Sequence, residues 1–229
     1  MVSSYDFVHL SEVGSTQDEA AVRFDETDTA TLVVADRQIG GRGRQGRAWA
    51  QPDRAMFSSF VFACDWPTET FGLIPLSVGV VVARAIESET ATGIGLKWPN
   101  DLRRGEHKVG GILVESTGRR VIAGVGVNLA WSAPIDDAGS VLDDDPGPTV
   151  ALRLAHRWAT ACAEVIDRGP TLWPREEYLE RSVTVGRPVA WDSGAGTAVD
   201  IAPDGGLVVL TNGGSVVVRA GDVHLHGSR

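Results

Sequence analysis

The sequence predicts an α/β (α+β) protein: a larger part in which strands and helices mix, followed by a small β-rich unit. Three observations carry this. Apolar residues follow a strand period in some windows and a helical period in others. Composition shifts near Thr184, after which short β-rich runs alternate with glycine turns. The 229 residues, 43% of them hydrophobic, supply material for a large core and a small one. The units are therefore expected at 1–183 and 184–229.

Taken in order, Ser15-Thr16-Gln17-Asp18 starts a helix, with Ser15 as N-cap and Asp18 completing a capping box ahead of Ala20, Ala21, Val22 and Phe24. Residues 31–35 form a buried strand and 56–64 a second. Pro75 opens a helix over 76–88, in which Val78, Val81, Val82, Ala85 and Ile86 keep helical spacing. Residues 95–98 are extended, because the position before Pro99 disfavours the α region. Runs at 108–115 and 120–128 pair as strands across a turn at Thr117-Gly118. Residues 131–148 form a surface loop, for whose Asp143-Asp144-Asp145 a metal site is the alternative reading. A helix over 149–168 sets Leu152, Ala155, Ala159, Cys162 and Ile166 on one face, with His156 beside it as a partner of polar surface. Runs at 187–191, 197–202, 207–210 and 215–218 complete a small barrel or sandwich.

No run approaches the ~18 apolar residues of a membrane span, and the N-terminus lacks the pattern of a signal peptide. The expectation is a cytoplasmic protein with no membrane partner. Cys64 and Cys162 lie far apart in apolar surroundings and read as buried free thiols. The net charge of -9 argues against a general nucleic-acid binder, so no DNA partner is expected. None of the five histidines suggests a triad or a metal cluster.

Against this acidic background, Gly41-Arg42-Gly43-Arg44-Gln45-Gly46-Arg47-Ala48-Trp49 is a positive island. Its guanidinium forks, on a backbone that ligands can approach, suit a small anion. Gly41, Gly43 and Gly46 also satisfy G-x-G-x-x-G, but that fingerprint requires a helix after the turn. Residues 47–53 lack helical period and Pro52 would break a helix. Side chains, rather than a helix terminus, would therefore grip the anion. Three glycines and three like charges also predict a lid that is poorly ordered without its anion. A solvated basic loop is the plain alternative.

Lys97-Trp98-Pro99-Asn100-Asp101 places a lysine at the end of a short strand with a tight turn behind it. Alone, this could be a structural turn with an exposed lysine. Together, two anchored cation clusters in an acidic protein are most simply explained by one multiply charged ligand, such as a nucleoside triphosphate.

These segments, with Lys108-Val109-Gly110-Gly111-Ile112-Leu113-Val114-Glu115 and Gly124-Val125-Gly126-Val127-Asn128, resemble the successive signatures of biotin protein ligases in order, spacing and residues. The resemblance runs from about Phe7 to the C-terminal unit. It implies a class II aminoacyl-tRNA synthetase/biotin ligase-like catalytic domain, with a mixed sheet flanked by helices, and a C-terminal SH3-like β-barrel. It also implies ATP and Mg2+ as cofactors, biotin as substrate, and the biotin carboxyl carrier protein or domain of a biotin-dependent carboxylase as partner. A monomer or weak homodimer is expected. The magnesium ligands are not identified. Some family members carry an N-terminal helix-turn-helix domain; here the signature begins almost at Met1, and the expectation is a ligase without repressor function.

Position by position, the resemblance assigns Ser15, Thr16 and Gln17 to the edge of the biotin pocket, where the family commonly has Ser-Thr-Asn. Gln38, Arg42, Gly43, Arg44 and Lys97 would line the biotin and phosphate site. Arg42, Arg44, Arg47, Trp49, Asn100, Lys108, Gly111 and Asn128 would bind ATP or the adenylate, with Trp49 stacking on adenine and Asn128 reading its polar edge. Lys97 and Arg44 are the catalytic candidates. In the implied reaction, the biotin carboxylate attacks the α-phosphorus of ATP, and a target lysine then displaces AMP. That chemistry requires fixed cations and orientation rather than an enzyme nucleophile. Two alternatives are a lipoate-protein ligase, whose Arg-Arg-x-Ser-Gly-Gly-Gly segment is not found here, and a non-enzymatic nucleotide- or nucleic-acid-binding module using Trp49 as a stacking platform.

Overall fold

The computed structural model describes residues 2, 4–219 and 223–225; the end of the expected C-terminal unit, 226–229, lies outside them. The elements are β1 (Asp6–Leu10), α1 (Thr16–Thr27), β2 (Thr31–Ala35), β3 (Arg54–Ala63), α2 (Leu73–Thr90), β4 (Gly95–Lys97), β5 (Asp101–Arg104), β6 (His107–Thr117), β7 (Arg120–Ala130), α3 (Pro148–Arg168) and α4 (Arg175–Arg181). The C-terminal part adds β8 (Pro188–Trp191), β9 (Gly194–Ile201), β10 (Leu207–Thr211), β11 (Gly214–Val218) and β12 (His224–Leu225). Strands β1 to β7 form one mixed sheet in the order β1-β2-β3-β7-β6-β5-β4, with β1 and β2 parallel and the other neighbours antiparallel.

Side chains alternate across a strand, so each strand serves two layers. Leu32 and Val34 on β2, Phe60 and Phe62 on β3, and Val121, Ala123, Val125 and Val127 on β7 pack into one large core with α2 and α3. Val33, Val61 and Ile122, of opposite parity, pack with Ala20 and Phe24 of α1. The sheet thus lies between α1 on one face and α2 with α3 on the other. Residues past Ile122 on the α1 face outrun the helix and are open to form a site.

Several expectations are corrected. Ser15 does cap α1, its Oγ accepting from the Gln17 amide at 3.2 Å, but Asp18 does not close a capping box because its carboxylate binds Arg42. Helix α2 begins at Leu73, two residues before Pro75, which the first turn tolerates because its amides have no partner within the helix. Strands β1, β5 and β12 and helix α4 are additions. Helix α4 is short and charged, anchored by buried Tyr178 and by Arg84–Glu177 and Arg181–Glu87 ion pairs. The loop after β7 is no loose surface segment: Asp137 O accepts from the Lys108 amide at 2.9 Å, Asp143 pairs with Arg104 and Asp145 with Arg54. Those carboxylates serve arginines, and among the described residues no group of His, Cys, Asp and Glu is assembled to hold a metal. Both cysteines are buried and free. The helix face carrying His156 meets β1 at Phe7, whose ring centre lies 4.3 Å from that of His156, and Tyr5, just before the strand, has its Oη 3.4 Å from His156 Nδ1.

The C-terminal strands form a second, antiparallel sheet in the order β11-β10-β9-β8-β12. It is joined to the first part by apolar packing, by an Arg175–Asp200 ion pair and by two hydrogen bonds that Trp98 donates. Trp98 N donates to Thr184 Oγ1 at 2.9 Å, and Trp98 Nε1 donates to Gly205 O at 3.0 Å. The turn after Lys97 is therefore braced from behind. No helix is long and apolar enough to cross a membrane among the described residues.

Candidate active site

The site lies on the α1 face of the sheet, at the N-terminal end of that helix. Here β6 and β7 present glycines at same-face positions, in the cross-strand pair Gly111↔Gly126 and at Gly124, which pairs with Leu113 and with Ser59 of β3. The missing side chains leave a cavity of about 400 Å³. Two residues use that space. A Cβ at Gly111 or Gly126 would come 3.0 Å from the Trp49 indole, and one at Gly124 would come 2.5 Å from Gln17 Oε1. Alternation on the opposite face fills the α2 and α3 core, so the same strands build core and floor.

One end of the cavity is neutral. Gln38 Oε1 accepts from Thr16 N at 2.8 Å and lies 3.0 Å from Thr16 Oγ1; Thr16 Oγ1 lies 2.8 Å from Ser59 Oγ. Gln17 is buried and its amide is fully engaged with protein. Its Oε1 accepts from Ser59 Oγ at 2.9 Å, and its Nε2 donates to Leu113 O at 3.2 Å and Ile122 O at 3.3 Å. The longer side chain at this position fits because Gly124 has no Cβ.

The other end is cationic. The arginine loop is closed on itself as a hairpin: Gly43 N donates to Arg47 O at 2.7 Å, Trp49 N donates to Gly41 O at 2.9 Å, and Arg44–Gly46 form a 3-10 turn with Gln45 and Gly46 in the left-handed region. Gly46, at φ +70°, meets a requirement that glycine satisfies at little cost. Arg42 is bound by Asp18, through Nη1 at 2.8 Å from Oδ2, with Glu115 3.9 Å away. That hydrogen bond holds the Asp18 carboxyl below its usual range and raises Arg42. Arg44 Nη1 donates to Asn100 Oδ1 at 3.1 Å, while Asn100 Nδ2 donates to Ile112 O at 3.0 Å, so β6 fixes the asparagine that orients the guanidinium. Lys108 Nζ pairs with Asp101 at 2.6 Å and stands 5.7 Å from the centre of the Trp49 ring. Lys97, on the braced turn, faces the same cavity, and among the described residues no carboxylate pairs with it.

Ser15, Thr16, Gln17, Gln38, Arg42, Gly43, Arg44, Arg47, Trp49, Lys97, Asn100, Lys108 and Gly111 all line this one cavity. Asn128 does not. Its Nδ2 donates to Gly139 O at 2.9 Å and its own carbonyl accepts from Val141 N at 2.8 Å, so it pins the loop after β7, while its buried Oδ1 has no hydrogen-bond partner among the described residues. Sequence reasoning missed Ser59, Asp101, Asp137 and His224, which also line the cavity. Ser59 carried one legible signal: a serine pair, Ser58-Ser59, inside an otherwise apolar strand.

A cavity with a neutral hydrogen-bonding end, a cationic end and an indole on a glycine floor defines the class: a site where a small polar ligand meets a nucleotide. Residues 11–131 match the biotin/lipoate A/B protein ligase family, and the chain belongs to that family. It is 34% identical over 207 residues to the biotin–[acetyl-CoA-carboxylase] ligase of Mycobacterium tuberculosis, covering 84% of this chain and 77% of the relative. The bifunctional ligase/repressor of Escherichia coli is 34% identical over 128 residues, covering 53% of this chain and 40% of that protein. Among solved structures, the biotin protein ligase from Aquifex aeolicus in complex with biotin and ATP is similar at a TM-score of 0.77 and 28% identity, over 96% of this chain and 98% of that one.

Proposed function

We propose that this chain is an ATP-dependent biotin protein ligase that forms biotinyl-5′-adenylate and then transfers biotin to a lysine of a carboxyl carrier protein or domain. The observation that carries this reading is Lys97: a cation on a rigid, doubly braced turn, facing a cavity, with no carboxylate partner among the described residues. An ammonium held at a cavity without a carboxylate partner among the described residues leaves its charge for an anionic ligand to satisfy.

In the first step a biotin carboxylate oxygen bonds to the α-phosphorus as the bond to the β-phosphate oxygen breaks and pyrophosphate leaves. Negative charge gathers on the phosphoryl oxygens, where Lys97 and Arg44 stabilise it without rearranging. Thr16 and Gln38 hold the cyclic urea, and Trp49, on its glycine floor, covers the adenine. In the second step the acceptor amine bonds to the acyl carbon and AMP departs. Magnesium fits as part of the nucleotide: Asp101 and Asp137 at the cavity are paired with Lys108 and Arg103, and the ion binds chiefly through phosphate oxygens when protein ligands are few.

On this reading residues 1–183 are the catalytic domain and 184–229 an SH3-like unit, a division supported by the second antiparallel sheet and by the Thr184 bond to the Lys97 turn. The deciding experiment supplies ATP, magnesium and either labelled biotin or labelled lipoate, and follows acid-stable transfer to a biotin carboxyl carrier domain. Labelling by biotin alone is expected. Transfer of lipoate, or no transfer, contradicts the reading.

A further inference from the structure

The neutral end of the cavity holds three oxygen-oxygen contacts but only two hydroxyl hydrogens to serve them. The contacts are Ser59 Oγ with Gln17 Oε1 at 2.9 Å, Ser59 Oγ with Thr16 Oγ1 at 2.8 Å, and Thr16 Oγ1 with Gln38 Oε1 at 3.0 Å. Serine and threonine bring one hydrogen each, and an amide oxygen can only accept. One contact therefore has no proton of its own.

Gln17 decides which contact that is. Both hydrogens of its Nε2 face backbone carbonyls, Leu113 O and Ile122 O, which cannot donate, so the amide cannot flip without placing two acceptors against its oxygen. Its Oε1 then faces Ser59, and the Ser59 hydrogen is committed to it. Ser59 can only accept from Thr16, which commits the Thr16 hydrogen in turn. The contact left without a proton is that between Thr16 Oγ1 and Gln38 Oε1, at the cavity. Gln38 keeps its orientation because its oxygen also accepts from Thr16 N at 2.8 Å.

We propose that Gln17 is a positioning residue that directs the Ser59 and Thr16 hydroxyls inward, so that Thr16 and Gln38 present two acceptors to a ligand N–H. The ligand supplies the missing proton. Gln17 and Ser59 are 4% and 1% exposed, so water does not compete for this chain of hydrogens. The inference rests on the reading of biotin as substrate, whose cyclic urea carries such N–H groups. It adds that polarity at the pocket is set from the neutral end of the cavity by a residue whose own amide meets only protein.

The test compares binding of biotin with its two regioisomeric cyclic carbamates, in each of which one urea N–H is replaced by oxygen. Full-length wild-type protein is measured by calorimetry beside Gln17→Met and Ser59→Ala. Gln17→Met keeps the length and removes the amide; Ser59→Ala breaks the chain one residue later. Wild type should reject one carbamate by about tenfold or more, since an acceptor would face two acceptors. Either variant frees the Thr16 hydrogen to turn outward, and that preference should fall by about tenfold. A carbamate preference unchanged in both variants overturns the role of Gln17 while leaving biotin as substrate intact. Wild type that binds biotin and both carbamates equally overturns the two-acceptor arrangement, and failure to bind biotin overturns the underlying reading. Loss of fold in Gln17→Met leaves the Ser59→Ala comparison to decide.

Discussion

The Trp49 indole rests on Gly126, close enough that a Cβ at that glycine would lie 3.0 Å from two ring carbons. Its Nε1 is buried without a hydrogen-bond partner among the described residues, where packing and the Lys108 ammonium hold the ring. A methyl group must lift it. Gly126→Ala should raise the KM for ATP about tenfold, the scale of a modest overpacking penalty, with the Kd for biotin nearly unchanged. Steady-state kinetics with varied ATP measure this. An unchanged KM for ATP would place the nucleotide away from Trp49.

Asp18 competes with the ligand for Arg42. Because the hydrogen bond from Arg42 holds its folded pKa below the ordinary carboxylate value, the pair contributes stability above that ordinary value and loses it as pH falls through the folded pKa. At neutral pH, then, a ligand anion must displace the carboxylate. Asp18→Asn should lower the KM for ATP by about two- to fivefold at low salt, the range of an exposed ion pair, and the gain should fade at high salt. Kinetics at two ionic strengths check this; a raised KM would show that Asp18 orients Arg42 for its ligand.

Asn100 links β6 to Arg44, accepting from Nη1 at 3.1 Å while donating to Ile112 O. Asn100→Ala should let the guanidinium wander and raise the dissociation rate of the adenylate by about tenfold, the loss of one hydrogen bond to a charged group. Arg44→Gly should release it faster still and label bystander lysines. Chase experiments with labelled adenylate measure both. Equal rates in wild type and Asn100→Ala would remove Asn100 from the site.

Thr184 is wholly buried and receives the Trp98 amide. Thr184→Val keeps the shape and orphans that amide, which should cost about 1–3 kcal/mol in urea unfolding. Because Trp98 follows Lys97, kcat should fall in the same variant. An unchanged unfolding midpoint would mean that the C-terminal sheet does not brace the turn.

Most of the site was legible because its chemistry is concentrated in three short runs, around Arg42, Lys97 and Gly124. The hairpin form of the arginine loop was less legible: Trp49 seats on Gly111 and Gly126, more than sixty positions away, and such contacts leave no local trace. Asn128 shares the face of Gly124 and Gly126 by strand alternation, and its bond to Gly139 O, which ties down the loop after β7, joins it to a partner that no local pattern announces. Strand β5 and helix α4 escaped because each is short and polar and is stabilised by neighbours rather than by its own period.

The central claim is that Lys97 supplies fixed positive charge to adenylate formation. Biotin-dependent exchange of labelled pyrophosphate into ATP tests it most directly, in Lys97→Met at saturating substrates. Loss of one preorganised charge should slow exchange by about a hundredfold or more while the protein remains folded. Exchange near the wild-type rate would contradict the assignment and move the catalytic charge elsewhere in the cavity.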